Sequence, residues 1–391
     1  MIHKKDKMPN DVVDSAIDNV SNKILYHYAK NEADIEVLKS VMEKYPVKFT
    51  SYLLKLFENS EAIRKQFLPS CLENKTSETP TPFEEGIDAS ETYGLERLYR
   101  DRVLITPNFD CPAYCRFCYK KSNVMHNKNA MTYEEIDTVI KKVGAMDEVS
   151  GALVTGGEPF LDIDKLFYLL DKLATLDNIS VIRIGTRTLL TMPQIFNDEL
   201  CTRLASFNKI SSSNPYKSKH LAINVHFNHP DELAPEVLEA CNKLTSKGIL
   251  LRNQAVLLKG INNDLKTMQH LFNLLIQNNI TPYYMNHCMP VEGSDHFRTS
   301  LQKGVDIYKY LCTESSTAIP HYVYAPSTGK MHVGPDSKFE YIFKDDIRYI
   351  KIKTLYKASE FKEITKKSLP PMHNETKDGY IEGLYIDGDD L

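Results

Sequence analysis

The sequence predicts an α/β fold, a partial (β/α)6 barrel with a helical N-terminal extension and a short C-terminal tail. From about residue 103, short runs rich in β-branched residues alternate with amphipathic runs of helical period. Six such β-α units in succession imply a parallel sheet with right-handed crossovers, and six rather than eight imply a barrel open on one side. The chain has 391 residues, 42% apolar and 26% charged, which is typical of globular proteins with two or three domains, or with one large α/β domain and extensions.

Each predicted strand is followed by a predicted helix. The first helix begins with acidic residues in its first turn, which favours a helix N-terminus. The six strands are predicted at residues 103–106, 152–155, 181–185, 221–227, 250–258 and 282–286. The six helices are predicted at residues 131–146, 164–176, 194–207, 235–246, 264–278 and 303–314. A further β-like run lies at residues 322–324.

The flanking regions differ from this pattern. Residues 1–95 are predicted to be mostly helical, with a linker or extended arm at residues 72–88, which are rich in Ser, Thr, Pro and Glu. After Pro335 the tail is short and charged, and its last residues, Asp-Gly-Asp-Asp-Leu, are expected to be frayed and solvated. We therefore expect an N-terminal region at 1–95, the barrel at 96–335 and a C-terminal extension at 336–391.

Charge and hydropathy exclude some classes of function. The chain has 48 basic and 52 acidic residues, so its net charge of −4 argues against broad nucleic-acid binding, which needs a basic face. No apolar run approaches the ~20 residues of a membrane span. No apolar segment follows the charged N-terminus as in a signal peptide. We expect a cytoplasmic protein in a reducing compartment.

Three of the eight cysteines, Cys111, Cys115 and Cys118, form a C-x3-C-x2-C motif after the first predicted strand. A disulfide is disfavoured in a reducing compartment and by the odd number, and zinc normally requires a fourth ligand nearby. Three thiolates suit a 4Fe–4S cluster that leaves one iron open to an exogenous ligand. The five scattered cysteines are interpreted as small buried apolar residues.

A second loop, Thr155-Gly-Gly-Glu-Pro159, follows the second predicted strand. Its glycines, Gly156 and Gly157, allow the backbone to approach a ligand, although such a motif on its own is better explained by a plain turn. This loop, the cysteine loop and the loops at 185–188 and 226–230 all follow strands. Active residues of β/α barrels lie at that end of the barrel.

The combination of the cysteine motif and the glycine loop resembles the radical S-adenosylmethionine (SAM) enzymes. More specifically, residues 95–335 resemble the lysine 2,3-aminomutase family. The matching segments, in the same order and spacing, lie at residues 99–105, 111–118, 182–188, 226–230, 252–260, 282–284 and 295–299.

The resemblance implies a set of cofactor-binding residues. The open iron of the cluster would chelate SAM, and Gly156, Gly157 and Glu158 would hold its methionine part. The residues implied to line the SAM pocket are His226, Gln254 and Arg187.

The family also uses pyridoxal 5'-phosphate (PLP), bound to a lysine as a Schiff base. The matching lysine is Lys330, and Tyr99 and Arg102 match positions that contact PLP. The loop before Lys330 is one residue shorter than in the family and has Ser327 and Thr328 in place of glycines. A third basic contact of the family falls at Leu98, for which Arg97 or Arg100 would substitute.

The resemblance implies a radical isomerisation. A reductant such as flavodoxin or ferredoxin would supply the electron that cleaves SAM, and the resulting radical would remove a hydrogen from Cβ of an amino acid. The amino group, held on PLP, would then migrate from Cα to Cβ and give a β-amino acid.

The substrate pocket departs from that of the lysine-specific members. Their two aspartates, which recognise the ε-ammonium, align with Met289 and Tyr324, and the arginine that binds the substrate carboxylate aligns with Lys120. Because an unpaired buried charge costs several kcal/mol, we expect a substrate other than lysine. Glu292 or His287 is a candidate polar contact, and simple core packing of Met289 and Tyr324 explains the pattern equally well.

The family's structural zinc site is expected to be missing, because Leu265 replaces one of its cysteines. Whether the chain forms a homo-oligomer is left open.

Three hypotheses about the function remain. The first is an aminomutase that acts on a free amino acid other than lysine. The second is a radical SAM enzyme of another reaction type, or one acting on a peptide or protein side chain. The third is a non-enzymatic iron–sulfur or redox-sensing protein.

Overall fold

The computed structural model describes residues 32–74, 92–121, 130–214, 217–315, 318–345 and 347–388. The strands in these residues are β1 (Leu95–Tyr99), β2 (Arg102–Ile105), β3 (Gly151–Val154), β4 (Val181–Thr186), β5 (His220–Val225), β6 (Leu250–Leu257), β7 (Ile280–His287), β8 (His321–Tyr324), β9 (Met331–His332), β10 (Glu340–Lys344), β11 (Ile347–Lys357), β12 (His373–Glu375) and β13 (Tyr380–Ile386). The helices are α1 (Glu32–Lys44), α2 (Ser51–Asn59), α3 (Glu61–Phe67), α4 (Tyr133–Gly144), α5 (Ile163–Thr175), α6 (Thr188–Thr191), α7 (Asp198–Ala205), α8 (Pro235–Thr245), α9 (Leu265–Gln277), α10 (Leu301–Glu314) and α11 (Ala358–Thr365).

The main sheet follows the order of the chain from β1 to β9. Strands β2 to β8 are parallel, while β1 and β9 are antiparallel to their neighbours. Helices α4, α5, α7, α8, α9 and α10 connect the parallel strands. The partial (β/α)6 barrel is therefore confirmed, and β8 adds a seventh parallel strand where the sequence shows a further β-like run.

The strands place alternate side chains on opposite sides of the sheet. In β4, Ile182 and Ile184 are buried in the hydrophobic core, while Arg183 and Gly185 face the inside of the barrel. Local caps fix where the helices begin. For example, Thr132 and Glu135 form a capping box at the start of α4, as the acidic first turn predicts.

The N-terminal helices α1 to α3 precede the barrel. The predicted linker at 72–88 is wrong at its start, because residues Cys71–Asn74 form a 3-10 turn whose Glu73 is fully buried against Arg116. Residues 75–88 of that segment, and residues 1–31 of the predicted helical region, lie outside the described residues.

The chain after Pro335 forms a second sheet and is thus more than the short, charged tail that the sequence predicts. Its antiparallel strand order is β10-β11-β13-β12, and α11 lies between β11 and β12 in the chain. The expected fraying is wrong at Asp387, which accepts a hydrogen bond from the backbone N–H of Leu301 (2.9 Å) and pairs with Arg348 (2.9 Å). Residues 389–391 lie outside the described part.

Among the described residues, none of the helices combines the length and apolar character that crossing a bilayer requires.

Candidate active site

A cavity of about 1620 Å³ lies inside the barrel and extends past the carboxyl ends of its parallel strands. It is the place where the sequence-predicted residues meet. Those that line it are Tyr99, Arg102, Cys111, Cys115, Cys118, Gly156, Gly157, Glu158, Arg187, His226, Gln254, Met289 and Lys330.

The cysteine loop lies at one end of this cavity, after β2. All eight cysteines are free, and burial together with the neighbouring thiols raises the pKa of Cys111 well above its ordinary value and that of Cys118 to about 12. Buried thiolates therefore need a compensating positive charge, which a metal centre supplies. Within the described residues, no three Cys, His, Asp or Glu side chains converge on a position for a single metal ion. Three thiols on one loop fit a multinuclear cluster better than a lone ion.

Buried charges from the N-terminal region hold the cysteine loop in place. Arg116, between the second and third cysteines, pairs with Glu73 (Nη2–Oε2 2.7 Å) and donates to the carbonyl oxygens of Tyr45 (3.1 Å) and Pro46 (3.0 Å). Lys121 also pairs with Glu73 (3.1 Å). The sequence did not reveal this cluster, because its members lie far apart in the chain.

The glycine loop after β3 is pressed against the cysteine loop. A Cβ on Gly156, whose φ is +128°, would lie 2.2 Å from Cγ2 of Thr106, and one on Gly157 would lie 2.3 Å from the carbonyl oxygen of Asp110. Asp110 directly precedes the first cysteine of the motif. Only glycine therefore fits at either position, and the plain-turn interpretation does not explain such a close approach.

Glu158 ties this loop to the end of β4. Its carboxylate accepts hydrogen bonds from Oγ1 of Thr186 (2.8 Å) and from the backbone N–H groups of Arg187 (3.0 Å) and Phe160 (3.2 Å). Burial raises the pKa of Glu158 despite these contacts. In this structure the carboxylate orients the two loops.

Arg187 links the cysteine loop to two other elements. Its Nη1 donates to Sγ of Cys115 (2.8 Å), and its Nη2 donates to Oε1 of Gln66 on α3 (2.5 Å) and pairs with Glu232 (3.3 Å). Nearby, Nε2 of His226 lies 3.1 Å from Oδ1 of Asn228. Burial and then Arg187 lower the pKa of His226 well below its ordinary value, so its imidazole is neutral at pH 7.

Lys330 lies in the same cavity, in the connection between β8 and β9. Its Nζ is 3.7 Å from the centre of the Tyr284 ring. Burial, followed by the charges of Arg102 and Arg183, lowers the pKa of Lys330 to about 7. The backbone N–H of Lys330 donates to Oη of Tyr99 (2.9 Å), and the guanidinium of Arg102 stacks on the Tyr99 ring at 3.8 Å.

A Radical SAM superfamily model matches residues 105–272 of the chain. An L-lysine 2,3-aminomutase of Fusobacterium nucleatum is 34% identical over 307 residues, which cover 76% of this chain and 69% of that protein. This chain belongs to the lysine 2,3-aminomutase family. Membership of the radical SAM superfamily implies SAM and a 4Fe–4S cluster as cofactors, and the three cysteines are the thiols that would hold the cluster.

The chain is also similar to a second curated relative and to a solved structure. The glutamate 2,3-aminomutase of Clostridioides difficile is 38% identical over 242 residues, which cover 60% of this chain and 54% of that protein. Among solved structures, a radical SAM methyltransferase from Sphaerobacter thermophilus is 17% identical with a TM-score of 0.42, covering 57% of this chain and 66% of its own. A similarity at that level carries no information about the function of this aminomutase-family chain.

Not every residue expected at the site of this aminomutase-family chain reaches the cavity. Tyr324 is buried behind its wall, with its ring centre 5.4 Å from that of His287. Lys120 is buried with its Nζ 3.9 Å from Oε1 of Glu96 and does not line the cavity. Glu292 pairs with Lys44 at the surface, so it is not the polar contact that the sequence suggested.

The basic residues near Leu98 also have other partners. Arg97 and Arg100 both pair with Glu148 (2.9 and 3.2 Å). The cation that joins Arg102 near Lys330 is instead Arg183 of β4, which also lines the cavity. Its Nε is buried without a hydrogen-bond partner, so this end of the cavity has an unsatisfied donor for an anion. The signal available in the sequence was a charged residue at an inward-facing position between the apolar residues of a strand.

Proposed function

We propose that this member of the lysine 2,3-aminomutase family uses SAM, a 4Fe–4S cluster and PLP to convert an L-α-amino acid other than lysine into a β-amino acid. The proposal depends above all on one observation. The ε-amino group of Lys330 lies in the same cavity as the three cysteines and close to two arginines. A lysine amine that can bind PLP and a cluster site that can generate a radical share one cavity. This arrangement suits a reaction in which the radical acts on a substrate held by PLP.

The residues around Lys330 fit PLP. A lysine whose pKa is about 7 is largely neutral at slightly alkaline pH and so can attack an aldehyde. Arg102 and Arg183 each offer a planar guanidinium to a phosphate, although Arg102 also pairs with Asp101 (3.1 Å), and the unsatisfied Nε of Arg183 supports an anionic occupant. Of the two hydroxyl residues that replace glycines, Ser327 lines the cavity, whereas Thr328 is bonded to Tyr385.

When bound, the reduced cluster and SAM supply the radical, and PLP holds the migrating nitrogen. The chain's own contribution is to bind and orient these groups. The cysteine loop is fixed by Glu73, and the glycine loop is fixed by Glu158, as described above. Apolar side chains such as Phe117 and Val256 also line the cavity and help to exclude water from reactive species.

Of the four acidic residues that line the described cavity, three are engaged in hydrogen bonds or ion pairs of 3.4 Å or less. Glu148 pairs with Arg97 and Arg100, and Glu363 pairs with Arg100 (3.4 Å). Glu158 accepts three hydrogen bonds, and Glu96 lies 3.9 Å from Lys120. Met289 lines the cavity where the lysine-specific enzymes have an aspartate. An ε-ammonium at Met289 would therefore lack the carboxylate that the lysine-specific enzymes offer there, which favours a substrate with an uncharged side chain.

The test is a product screen. Anaerobically reconstituted protein would be incubated with reductant, SAM, PLP and single L-amino acids, and β-amino acids would be detected by mass spectrometry. We expect a β-product from at least one amino acid with an uncharged side chain and at least tenfold less from lysine. Replacement of Lys330 by Ala should abolish the product, whereas Lys338→Ala, which changes an exposed lysine nearby, should not.

Two outcomes would count against the proposal. A preference for lysine would contradict the substrate assignment. SAM cleavage without any β-amino acid, unaffected by Lys330→Ala, would favour a radical SAM enzyme that acts on a peptide or by another reaction.

A further inference from the structure

The C-terminal sheet contacts the loop that carries Lys330 at two points. Tyr356 of β11 donates from its hydroxyl to the carbonyl oxygen of Lys330 (2.7 Å). The hydroxyl of Tyr385 of β13 lies 3.2 Å from Oγ1 of Thr328, and both side chains are buried. Two strands of one sheet therefore contact two of the last three residues of this loop.

The loop is also shaped to the ring of Tyr356. Gly329 has a φ of +126°, and a Cβ at this position would lie 2.4 Å from Cε2 of Tyr356. A residue with a side chain would be strained in this conformation and would collide with the ring. Packing of Tyr356 of the C-terminal sheet against the loop therefore requires glycine at position 329.

The backbone of Lys330 is held from both sides. Its N–H donates to Tyr99 in the barrel, and its C=O accepts from Tyr356 in the C-terminal sheet. The two tyrosine rings also contact each other edge to face, with centres 6.1 Å apart. Fixing both peptide groups limits the directions in which the lysine side chain can leave the backbone.

The second tyrosine is itself oriented from within the sheet. The hydroxyl of Tyr385 lies 2.8 Å from Nε2 of His373 on β12. Gly383 leaves room for this imidazole, because a Cβ there would lie 2.4 Å from Cδ2 of His373. The contact with Thr328 is thus supported by a third strand.

We infer that the C-terminal sheet is the positioning element of Lys330, with Tyr356 and Tyr385 acting as positioning residues that direct its amino group into the cavity. Such contacts explain how a loop that is short and poor in glycine keeps one conformation. The inference rests on the proposed function insofar as Lys330 binds PLP, but the position of the lysine can be measured without any cofactor.

The experiment uses the full chain and follows the reactivity of Lys330 itself. The protein without PLP would be reductively methylated with formaldehyde at a series of pH values, and modification of the Lys330 peptide would be quantified by mass spectrometry. Tyr356→Phe and Tyr385→Phe remove the two hydroxyl contacts and keep the rings. Tyr349→Phe is the matched control, because Tyr349 also lies on β11, paired with Ile342 of β10, and within the described residues its hydroxyl makes no hydrogen bond to the Lys330 loop.

In the wild type and in Tyr349→Phe we expect the midpoint of the methylation profile near pH 7, as the burial of Lys330 requires. In Tyr356→Phe we expect the midpoint to rise by about one pH unit or more, because an unanchored side chain reaches water. The same variant should bind PLP about five- to tenfold more weakly, the loss typical of one hydrogen bond.

Unchanged methylation profiles in Tyr356→Phe and Tyr385→Phe would overturn the inference. A shifted profile without any PLP adduct on wild-type Lys330 would support the positioning role and contradict the proposed function. The two claims can therefore fail separately. Thermal unfolding of each variant would show whether the sheet itself remains folded.

Discussion

Arg187 donates a hydrogen bond from its guanidinium Nη1 to the sulfur of Cys115, across 2.8 Å. The other end of the guanidinium is fixed by Gln66 and Glu232, so helix α3 and the loop after β5 both act on a cysteine of the proposed cluster site. Hydrogen bonds to ligand sulfurs are one of the factors that set the reduction potential of iron–sulfur centres.

Replacing Arg187 by Lys should therefore lower the reduction potential of the cluster. Lysine keeps a positive charge near Glu232 but lacks the planar fork by which two separate nitrogens of Arg187 reach Cys115 and Gln66. The potential would be measured by a redox titration followed by electron paramagnetic resonance. Arg203→Lys is the control, since Arg203 is half-exposed and stacks on Phe167 outside the cavity. Equal potentials in both variants and the wild type would argue against this role of Arg187.

The close approach of the glycine loop to the cysteine loop gives a second prediction. Gly157→Ala should reduce iron incorporation and SAM binding severalfold, because its methyl group would collide with the backbone of Asp110. Iron content and SAM affinity after anaerobic reconstitution would test this. Gly334→Ala is the control, since a Cβ there would lie 3.7 Å from its nearest neighbour. Normal iron content in Gly157→Ala would show that the loops can move apart.

A third prediction concerns the buried charges under the cysteine loop. Glu73→Gln would leave Arg116 and Lys121 without a compensating charge, and removal of one partner of a buried ion pair typically costs about 3–5 kcal/mol. Denaturant unfolding should show a loss of this size. Glu36→Gln, which removes the exposed pair with Lys39, should leave the unfolding midpoint unchanged. A Glu73 variant as stable as the wild type would contradict the assigned role of this cluster.

A fourth prediction follows from the charges near Lys330. Arg183 and Arg102 help to lower the pKa of this lysine to about 7, so removal of one of them should raise the pKa. In the wild type, the initial rate of PLP attachment should rise between about pH 6 and pH 8, as the amine loses its proton. In Arg183→Met the same rise should occur at higher pH, and in Arg203→Met it should not move. A profile unchanged by Arg183→Met would exclude a contribution of Arg183 and leave burial and Arg102 as the causes.

The sequence predicts the barrel well, because each β-α unit is encoded locally by its apolar period and its caps. The cysteine and glycine loops are also recognised, since their residue types and spacing are specific. The second sheet was missed, because β11 pairs with β13 across about thirty residues of sequence. Its strands β10 and β11 do contain many apolar residues, but most of these stay partly exposed, and in β11 they are interrupted by charged residues.

The substrate-contacting residues show another limit of the sequence. Aligned positions predicted Lys120, Met289 and Tyr324, but only Met289 lines the cavity. Whether a side chain faces a cavity or packs behind its wall depends on neighbours such as Glu96 and His287, which are distant in sequence or belong to other strands. Arg183 was overlooked for the same reason.

The most direct test of the central claim is reductive trapping of PLP on the anaerobically reconstituted protein. The protein would be treated with PLP and borohydride, digested, and mapped by mass spectrometry. We predict a phosphopyridoxyl adduct on Lys330 that is absent after Lys330→Ala and present after Lys338→Ala. A protein with an intact cluster that carries no such adduct, or carries it on exposed lysines only, would contradict the account.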